Sequence, residues 1–454
     1  MNLVKLRKKH PRFVYESYSL NQVGKSLKLQ YRFRLEPDAM FKPEVILPLG
    51  KEIDIEIMRN FAFHIGMIEL VSYWKLACPP EVSIEAGRLS AGQITWWHNL
   101  FMHGLGEFFF RNDIDFTRPG FLSITNNYNG GLKSSVHESQ SANGDLILVG
   151  GGKDSGLTLE LLKKRRGRKA VLMLNPTRAA LENAKITGYR NPIVVKRTID
   201  PTLLKLNEKG YLNGHTPFSA YLAFLGVFMG ALYDYKNIVV SNERSASEEN
   251  TVFKGIKINH QYSKSYQFER LFRRYAKRYL SHSVQYFSFL RPLFDIQISR
   301  LFAQCGKLHF SFRSCNVNQK LDSWCGKCPK CAFIYLSLFP YLSQKQIERI
   351  FGNDYFLKPE IVKHVRDIVG LGRHKPFECV GTKEEAKLAI ALSIRKYEKE
   401  KRAAPPLLLG LKRQLNITNQ TPIKMLEDKL NSKWSNENFL PQEHAILLKN
   451  AVNS

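Results

Sequence analysis

The pattern of hydrophobic and polar positions divides the chain into three regions. In residues 1–140, three segments with alternating or β-branched character (FVYESYSL, SLKLQYRFRL and EVILPLG) precede two aromatic segments with helical spacing, MRNFAFHIGMIELVSYWKLA and AGQITWWHNLFMHGLGEFFFRN. Alternation predicts strands, a three-to-four-residue spacing predicts helices, and Gly24 and Lys25 are typical of a turn. We therefore predict an N-terminal α+β domain, with a polar linker over residues 126–145.

Residues 141–340 alternate short apolar runs with helical patterns, and the apolar runs are LILVG, AVLMLNP, PIVVKR and NIVVSNE. This alternation predicts βα units and an α/β domain with a mostly parallel sheet. Ligands of such sheets bind at the carboxyl ends of the strands. The segments after Val149, Leu174, Val195 and Val240 should therefore meet at one site.

Residues 341–454 have a mainly helical pattern, and the chain as a whole lacks the signs of a membrane protein. The longest apolar run, from Ala220 to Tyr233, is shorter than the roughly 20 residues that a membrane span needs. The N-terminal MNLVKLRKKHPRF is basic, but no apolar signal core follows it. We expect no membrane span and a cytoplasmic protein.

The charge is strongly positive, because 68 Lys and Arg residues outnumber 40 Asp and Glu residues to give +28. Such a balance favours a polyanionic partner, for example nucleic acid, a membrane surface or a phosphorylated substrate, but a solubilising surface explains it equally well. The basic runs at 163–166 and 270–278 are typical of solvated helix faces. The chain lacks serine/glycine-rich arms, so we expect no stable nucleic-acid partner.

A glycine-rich segment follows the first apolar run of the central region, in LILVGGGKDSGLTLELLKK. A strand, a glycine loop and a helix N-terminus together form an arrangement that binds phosphate. The segment fits neither the G-x-x-x-x-G-K-[ST] nor the G-x-G-x-x-G spacing, and an ordinary turn between strand and helix is the alternative. We predict a nucleotide-phosphate site formed by Gly150, Gly151, Gly152, Lys153, Asp154 and Ser155.

The residues of this loop suit different tasks. Gly151 and Gly152 let backbone N–H groups approach a phosphate, and Lys153 supplies positive charge. Ser155 is expected to cap the helix, whose dipole favours an anion, and to donate its hydroxyl. Asp154 repels phosphate, so its expected task is to organise the loop or to hold Mg²⁺.

Four of the seven cysteines lie within seventeen residues, in the segment SCNVNQKLDSWCGKCPKC. Their C-x9-C-x2-C-x2-C spacing can close a tetrahedral shell around Zn²⁺ and leaves no open position for a substrate. An iron–sulfur cluster also accepts four thiolates, but a closed Cys₄ site is a standard arrangement for structural zinc. We predict a zinc site formed by Cys315, Cys325, Cys328 and Cys331, and interpret the others as buried small residues: Cys78, Cys305 and Cys379.

The glycine loop resembles the PP-loop signature S-G-G-x-D-S of the adenine-nucleotide α-hydrolase-like superfamily, with Gly150 in place of the usual serine. The resemblance implies a PP-loop fold in which ATP is cleaved between the α and β phosphates. Over residues 146–340 the chain also resembles the 7-cyano-7-deazaguanine synthases, through the loop, PLFDIQISRLF and the cysteine segment. However, the chain is about twice as long as those enzymes and lacks their substrate-side motifs.

The chain resembles a second family over a longer stretch of its sequence. The strings SNERSASEEN, INHQYSKSYQFE, NGHTPFSA, FSFLRPLFDIQI and WCGKCPKCAF, together with FHIGMIELVSYWK and GLGEFFFRN, are similar to the UDP-N-acetylmuramoyl-L-alanyl-L-glutamate epimerases, up to about residue 380. This resemblance implies conversion of the terminal L-glutamate of a UDP-linked muramyl dipeptide to D-glutamate, with ATP and Mg²⁺ and through a carboxylate adenylate. It also implies a role in peptidoglycan synthesis and a transient contact with a muramyl ligase.

Three other functions stay open on the sequence: a deazaguanine-synthase-like enzyme, a tRNA-modifying PP-loop enzyme, and a nucleotide-binding module without catalysis. Under the epimerase hypothesis, the expected acid and base groups are Glu243 and His260, with His215 and Glu248 as further candidates. The candidates for substrate phosphates are Arg244, Lys264 and Arg291. Three tryptophans are interpreted as core residues rather than uridine platforms: Trp74, Trp96 and Trp97. Two carboxylates on the aromatic helices, Glu69 and Glu107, could equally be structural.

Overall fold

The computed structural model describes residues 2–50, 54–128, 130, 136–417, 420–431 and 434–453. The strands are β1 Arg12–Val23, β2 Ser26–Leu35, β3 Ala39–Phe41, β4 Glu44–Pro48, β5 Glu81–Ile84, β6 Ser123–Asn126, β7 Asp145–Leu148, β8 Lys169–Leu174, β9 Ile193–Thr198, β10 Asn237–Val240, β11 Thr251–Phe253, β12 Ile256–Ile258 and β13 Gln285–Ser288. The α-helices are α1 Leu3–Lys9, α2 Ile55–Trp74, α3 Ala91–Gly104, α4 Gly106–Arg111, α5 Lys153–Leu162, α6 Arg178–Ile186, α7 Thr202–Glu208, α8 Phe218–Tyr233, α9 Tyr266–Tyr279, α10 Asp295–Ala303, α11 Pro329–Leu338, α12 Gln344–Phe351, α13 Pro359–Ile368, α14 Lys383–Lys399, α15 Pro406–Gln414, α16 Gln420–Asn431 and α17 Gln442–Asn453.

Among the described residues, one eleven-stranded sheet runs in the order β13-β10-β7-β8-β9-β4-β2-β1-β5-β6, with β3 paired to β2. The strands from β13 to β9 are parallel, as the alternation of apolar and helical segments predicted. Between β9 and β4 the pairing is antiparallel, with Val45 opposite Arg197. The N-terminal strands therefore extend the central sheet instead of forming a separate one.

The N-terminal elements follow their sequence pattern closely. β1 and β2 form a hairpin in which Val23 pairs with Ser26, and Gly24 has a φ of +56°, so the predicted turn is confirmed. α2 packs on β1 and α8 and is buried along most of its length. The indole N–H of Trp97 donates to the Tyr275 hydroxyl at 3.0 Å, which satisfies its polar atom inside the core.

All three tryptophans of the N-terminal region belong to the core. Trp74 and Trp97 are fully buried, and Trp96 is partly buried against the same cluster. Of the predicted linker over 126–145, residues 129 and 131–135 lie outside the described residues. The segment after them is packed, because His137 is buried and its backbone N–H donates to the carbonyl of Leu280 at 2.9 Å.

The C-terminal region is helical, as its pattern predicted, and its last helices pack against the central region. α14 lies against α11 and α10, and α17 lies against α5 and α10. In the described part of the chain, no helix has the length and apolar character that crossing a membrane requires.

Candidate active site

A cavity of about 500 Å³ lies at the carboxyl edge of β7, β8, β9 and β10. Gly150, Asn175 and Ser241 line it directly after β7, β8 and β10, and Arg197 lines it from the end of β9. The prediction that the segments after these strands meet at one site is confirmed. The physical reason is that parallel strands present their carboxyl ends at one edge of a sheet.

The backbone of the glycine loop is held by residues of neighbouring segments. Gly151 has a φ of +87°, and a Cβ placed there would lie 2.6 Å from the backbone nitrogen of Ala180. Its carbonyl accepts hydrogen bonds from the N–H of Arg313 at 2.9 Å and from the side chain of Asn183 at 3.1 Å. Gly150 is exposed and has no atom within 4 Å of an added Cβ, so a side chain fits at this position.

Gly151→Ala is expected to lower the free energy of unfolding by about 1–3 kcal/mol, because alanine at this φ is strained and its Cβ would push Ala180 away. Gly150→Ala is the matched control and is expected to change stability by less than about 0.5 kcal/mol. Urea unfolding of both variants measures the difference. Equal losses in the two variants would show that the left-handed backbone at Gly151 is not a requirement.

Two residues of the loop have roles other than those predicted. The residue that precedes α5 is Gly152, which has no side chain to cap the helix. The prediction that Ser155 caps α5 is therefore wrong: its hydroxyl donates to the carbonyl of Gly152 at 3.1 Å. Ser155 still lines the cavity.

Lys153 was predicted to supply charge to a phosphate, but its ammonium lies between two carboxylates. Its Nζ is 2.5 Å from Oδ1 of Asp154 and 3.0 Å from Oδ1 of Asp295, at the start of α10. The side chain is 1% exposed. Burial disfavours the ammonium, yet the two carboxylates raise its pKa above the usual range. Lys153 therefore joins the glycine loop to α10.

Asp154 is the carboxylate of the loop that reaches the cavity, with its side chain 25% exposed. Burial opposes its ionisation, but the charges of Lys153, Lys330 and Lys264 lower its pKa. An ionised oxygen ligand at the edge of a cavity suits Mg²⁺. This arrangement fits both tasks expected for Asp154, organising the loop and holding the cation.

Glu243 follows β10 and is 4% exposed. Burial, followed by the charge of Asp154, raises the pKa of its carboxyl to about 7. A carboxyl group that titrates near neutral pH can both take and give a proton. Glu248, a few residues later, instead accepts hydrogen bonds from Lys375 at 3.3 Å and from the backbone N–H of Lys383, so it fixes the C-terminal region.

Arg291 was predicted to bind a phosphate, and the structure corrects this prediction. Its side chain is 1% exposed, and Nε donates to Glu269 at 3.1 Å. The other nitrogens donate to the backbone carbonyls of Glu243 and Lys264. With these donors used inside the protein, Arg291 holds two loops of the site together.

Arg244 also differs from its predicted role, because its guanidinium lies 4.4 Å above the ring of Phe294 and is not part of the cavity wall. Of the three predicted phosphate-binding cations, Lys264 lines the cavity. The other cations of the wall were not predicted from the sequence, since neighbouring motifs did not distinguish them: Arg197, Arg313 and Lys330.

Cys379 was interpreted as a buried small residue, and this interpretation is wrong. Its thiol is half-buried and lines the cavity, 3.2 Å from the ammonium of Lys264. Burial alone would raise its pKa, but Lys264, His260 and Lys330 lower the pKa of the thiol to about 5. At neutral pH this cysteine is therefore a thiolate, which is the reactive form. Cys78 is fully buried, as expected.

His260, a predicted acid or base, lies beside this thiol. Its Nδ1 is 2.5 Å from Oε2 of Glu107, and Cys379 is its second anionic partner. Burial opposes protonation of His260, but these two partners raise its pKa to about 9. His215 lies 3.5 Å from Glu107, and burial together with the charge of His260 lowers its pKa to about 3. Glu107, His260 and Cys379 thus form a chain that ends at the cavity.

The four predicted cysteine ligands form one cluster. Their sulfur atoms lie within 4.8 Å of one another, and Sγ of Cys325 is 3.8 Å from Sγ of Cys331. A tetrahedral zinc site with Zn–S bonds of about 2.3 Å has S–S edges of about 3.8 Å, so the four thiolates fit this ion. Backbone N–H groups also point at two of the sulfurs, at 3.3 Å for Cys315 and 3.4 Å for Cys328.

The cysteine cluster is joined to the cavity through the residues next to its ligands. Ser314 precedes Cys315, and its hydroxyl accepts the backbone N–H of Lys153 at 3.2 Å. Lys330 precedes Cys331, and its ammonium donates to the carbonyl of Cys379. The cluster therefore positions both the glycine loop and the thiol.

Two family models match most of the chain. The model of the MurL N-terminal domain matches residues 5–289, and that of the MurL C-terminal domain matches residues 311–422. A UDP-N-acetyl-alpha-D-muramoyl-L-alanyl-L-glutamate epimerase of Micromonospora sp. is 32% identical over 393 residues, which cover 84% of this chain and 86% of the relative.

Two further relatives carry the same name. The protein of Salinispora tropica is 35% identical over 71% of this chain and 70% of its own length. The protein of Xanthomonas oryzae pv. oryzae is 31% identical, over 72% of each chain. No solved structure matches the chain. The chain belongs to the UDP-N-acetyl-alpha-D-muramoyl-L-alanyl-L-glutamate epimerase family.

Proposed function

We propose that the protein inverts the terminal L-glutamate of UDP-MurNAc-L-Ala-L-Glu to D-glutamate, in peptidoglycan precursor synthesis, and cleaves ATP to AMP and pyrophosphate. The names of the relatives support the substrate and the inversion. The observation that carries the use of ATP is that the glycine loop before α5 and four cationic side chains border one cavity.

The chemistry explains why an epimerase would need a nucleotide site. The α-proton of a free carboxylate is barely acidic, because its removal places a second negative charge beside the first. Transfer of AMP to the carboxylate gives a mixed anhydride, whose α-carbanion is an enolate that fixed donors can stabilise. Removal of the proton on one face, return of a proton on the other and hydrolysis of the anhydride give the D-centre.

Under this proposal, residues of the cavity wall bind the nucleotide, its metal ion and the activated carboxylate. The backbone of Gly150 and Gly152 and the hydroxyl of Ser155 would bind phosphate oxygens at the N-terminus of α5. Asp154 would hold Mg²⁺, which when bound neutralises part of the phosphate charge. Lys264 would place its ammonium near the activated carboxylate.

Glu243 and His260, the acid and base groups expected from the sequence, adjoin residues of the cavity wall: Glu243 follows Asn242, and His260 acts on Cys379. His215 would stay neutral and support His260, because its pKa is far below neutral. The four cysteines would bind Zn²⁺ with a structural role, since a closed Cys₄ shell leaves no position for substrate.

The test is a reaction with ATP, Mg²⁺ and UDP-MurNAc-L-Ala-L-Glu. We expect AMP and pyrophosphate together with D-glutamate in the hydrolysed product, measured by nucleotide chromatography and chiral amino-acid analysis. UDP-MurNAc-L-Ala is the matched control, because it lacks the glutamate and should release far less AMP. Formation of ADP would contradict adenylation, and AMP release without inversion would contradict the epimerase activity.

A further inference from the structure

We propose that Cys379 is the proton-transfer group on one face of the glutamate α-carbon, that Glu243 is the group on the other face, and that Lys264 stabilises the enolate between them. This inference rests on the proposed function and assigns to the cysteine a step that the sequence suggested for His260. In this arrangement His260 is a positioning residue, which acts on substrate only through the thiolate.

The first support is the location of the thiol. Cys379 lies between α13 and α14, far along the chain from the glycine loop, yet it lines the same cavity as Gly150 and Asp154. Two cations fix it there: the ammonium of Lys264 is 3.2 Å from its sulfur, and Lys330 donates to its carbonyl. A cysteine with a merely structural role needs neither cation.

The second support is the chain of groups behind the sulfur. Cys379 and Glu107 both act on the imidazole of His260, and Oε2 of Glu107 lies 2.5 Å from its Nδ1. Glu107 is held in turn by Arg111, at 2.5 Å. A reactive side chain oriented by a histidine, which is itself oriented by a carboxylate, is a recurring arrangement for activated thiols and hydroxyls.

The third support is a direct link between the segments that carry Glu243 and Lys264. The guanidinium of Arg291 donates to the carbonyls of both Glu243 and Lys264, so one buried side chain holds the two backbones close together. The side chain of Lys264 in turn contacts the sulfur of Cys379. Its charge acts on both proton-transfer groups, lowering the pKa of each.

The protonation states give the direction of transfer. At neutral pH the thiol of Cys379 is ionised, because burial is outweighed by the charges of Lys264 and His260, whereas a large share of Glu243 is protonated. Another carboxyl near the thiol, Glu378, also has a pKa raised to about 7 by burial and by the charge of Cys379. The thiolate can therefore accept a proton while Glu243 can donate one.

The step balances as a proton exchange. The sulfur of Cys379 forms an S–H bond as the Cα–H bond of the L-glutamyl adenylate breaks, and the electron pair moves into the enolate beside the ammonium of Lys264. Glu243 then gives its proton to the opposite face of Cα, which forms the D-centre and leaves Glu243 as a carboxylate. Solvent later returns a proton to Glu243 and removes one from the thiol.

The experiment compares wild-type protein with the variants Cys379→Ala and Glu243→Gln, and with Cys305→Ser as the control, since Cys305 is half-buried and outside the cavity wall. Each is incubated in D₂O with ATP, Mg²⁺ and UDP-MurNAc-L-Ala-L-Glu. Substrate-dependent exchange of pyrophosphate into ATP reports adenylation. Chiral analysis with mass spectrometry reports inversion and deuterium at Cα.

We expect Cys379→Ala to keep pyrophosphate exchange within about tenfold and to lose inversion and deuterium uptake by about 10²–10⁴-fold. Glu243→Gln should also lose inversion, yet should still place deuterium in the recovered L-glutamate, because the thiol remains. Cys305→Ser should match the wild type.

Inversion within tenfold of wild type in Cys379→Ala, or a loss of exchange together with inversion, would overturn the role of the thiol. The reverse deuterium pattern in the two variants would overturn the assignment of faces. Wild-type inversion without pyrophosphate exchange would contradict the proposed adenylation, while the loss of deuterium in Cys379→Ala would still identify the thiol.

Discussion

Replacing Asp154 with asparagine is expected to lower AMP release by about 10²–10³-fold, the loss typical of removing one electrostatic contact to a developing charge. The carboxylate borders the cavity and is kept ionised by three neighbouring lysines. Asparagine keeps the shape but removes the charge that would hold Mg²⁺. Steady-state AMP release over a range of Mg²⁺ concentrations is the measurement, and the apparent KM for Mg²⁺ should rise.

Asp295→Asn is the matched control, because Asp295 contacts the same Lys153 ammonium at 3.0 Å but lies outside the cavity wall. If Asp154 acts on the cation, Asp295→Asn should keep AMP release within about tenfold of wild type. Similar losses in both variants, with an unchanged Mg²⁺ dependence, would show that Asp154 only holds Lys153. Circular dichroism of both variants separates this result from unfolding.

Loss of the metal is expected to have the largest effect on stability. Purified protein should contain about one zinc per chain, and Cys331→Ser should lose it and lower the free energy of unfolding by more than about 3 kcal/mol. Cys331 is fully buried and lies in the first turn of α11, next to Lys330. Metal analysis by mass spectrometry and urea unfolding provide the two readouts.

Cys305→Ser is the control for this prediction, since its thiol donates to the carbonyl of Leu301 and lies outside the cluster. It should keep the zinc and most of the stability. Because Ser314 and Lys330 adjoin the cluster, Cys331→Ser should also weaken ATP binding in any folded fraction. Stoichiometric iron together with visible absorption would show that the four cysteines bind an iron–sulfur cluster instead of zinc. Purified protein without any metal would contradict the proposed metal site.

Local sequence patterns predicted the elements of the fold well. The alternation in SLKLQYRFRL, the apolar run LILVG and the glycine loop before a leucine-periodic segment each became the expected strand or helix. These features depend on neighbours in the chain, so a single sequence carries them. The strand ends after Val149, Leu174 and Val240 could be placed at one cavity because parallel strands share an edge.

The continuity of the sheet could not be predicted in the same way. The pairing of β4 with β9 joins residues about 150 positions apart, and nothing in either strand's alternation identifies its partner. The same limit applies to Arg291, which is cationic and close in sequence to FDIQI, yet donates to Glu269 and two backbone carbonyls inside the protein. Charge alone does not show which way a side chain faces.

By itself, the sequence determined the glycine loop, the four-cysteine cluster and the order of strands and helices, because spacing along the chain is enough to define each of them. The tertiary structure alone decided which ionisable groups share the cavity. Cys379 has no motif, and its low thiol pKa comes from Lys264, His260 and Lys330, which lie about 50 to 120 residues away in the chain. A pKa depends on burial and on charges in space, so only the folded chain could show that this cysteine is a thiolate.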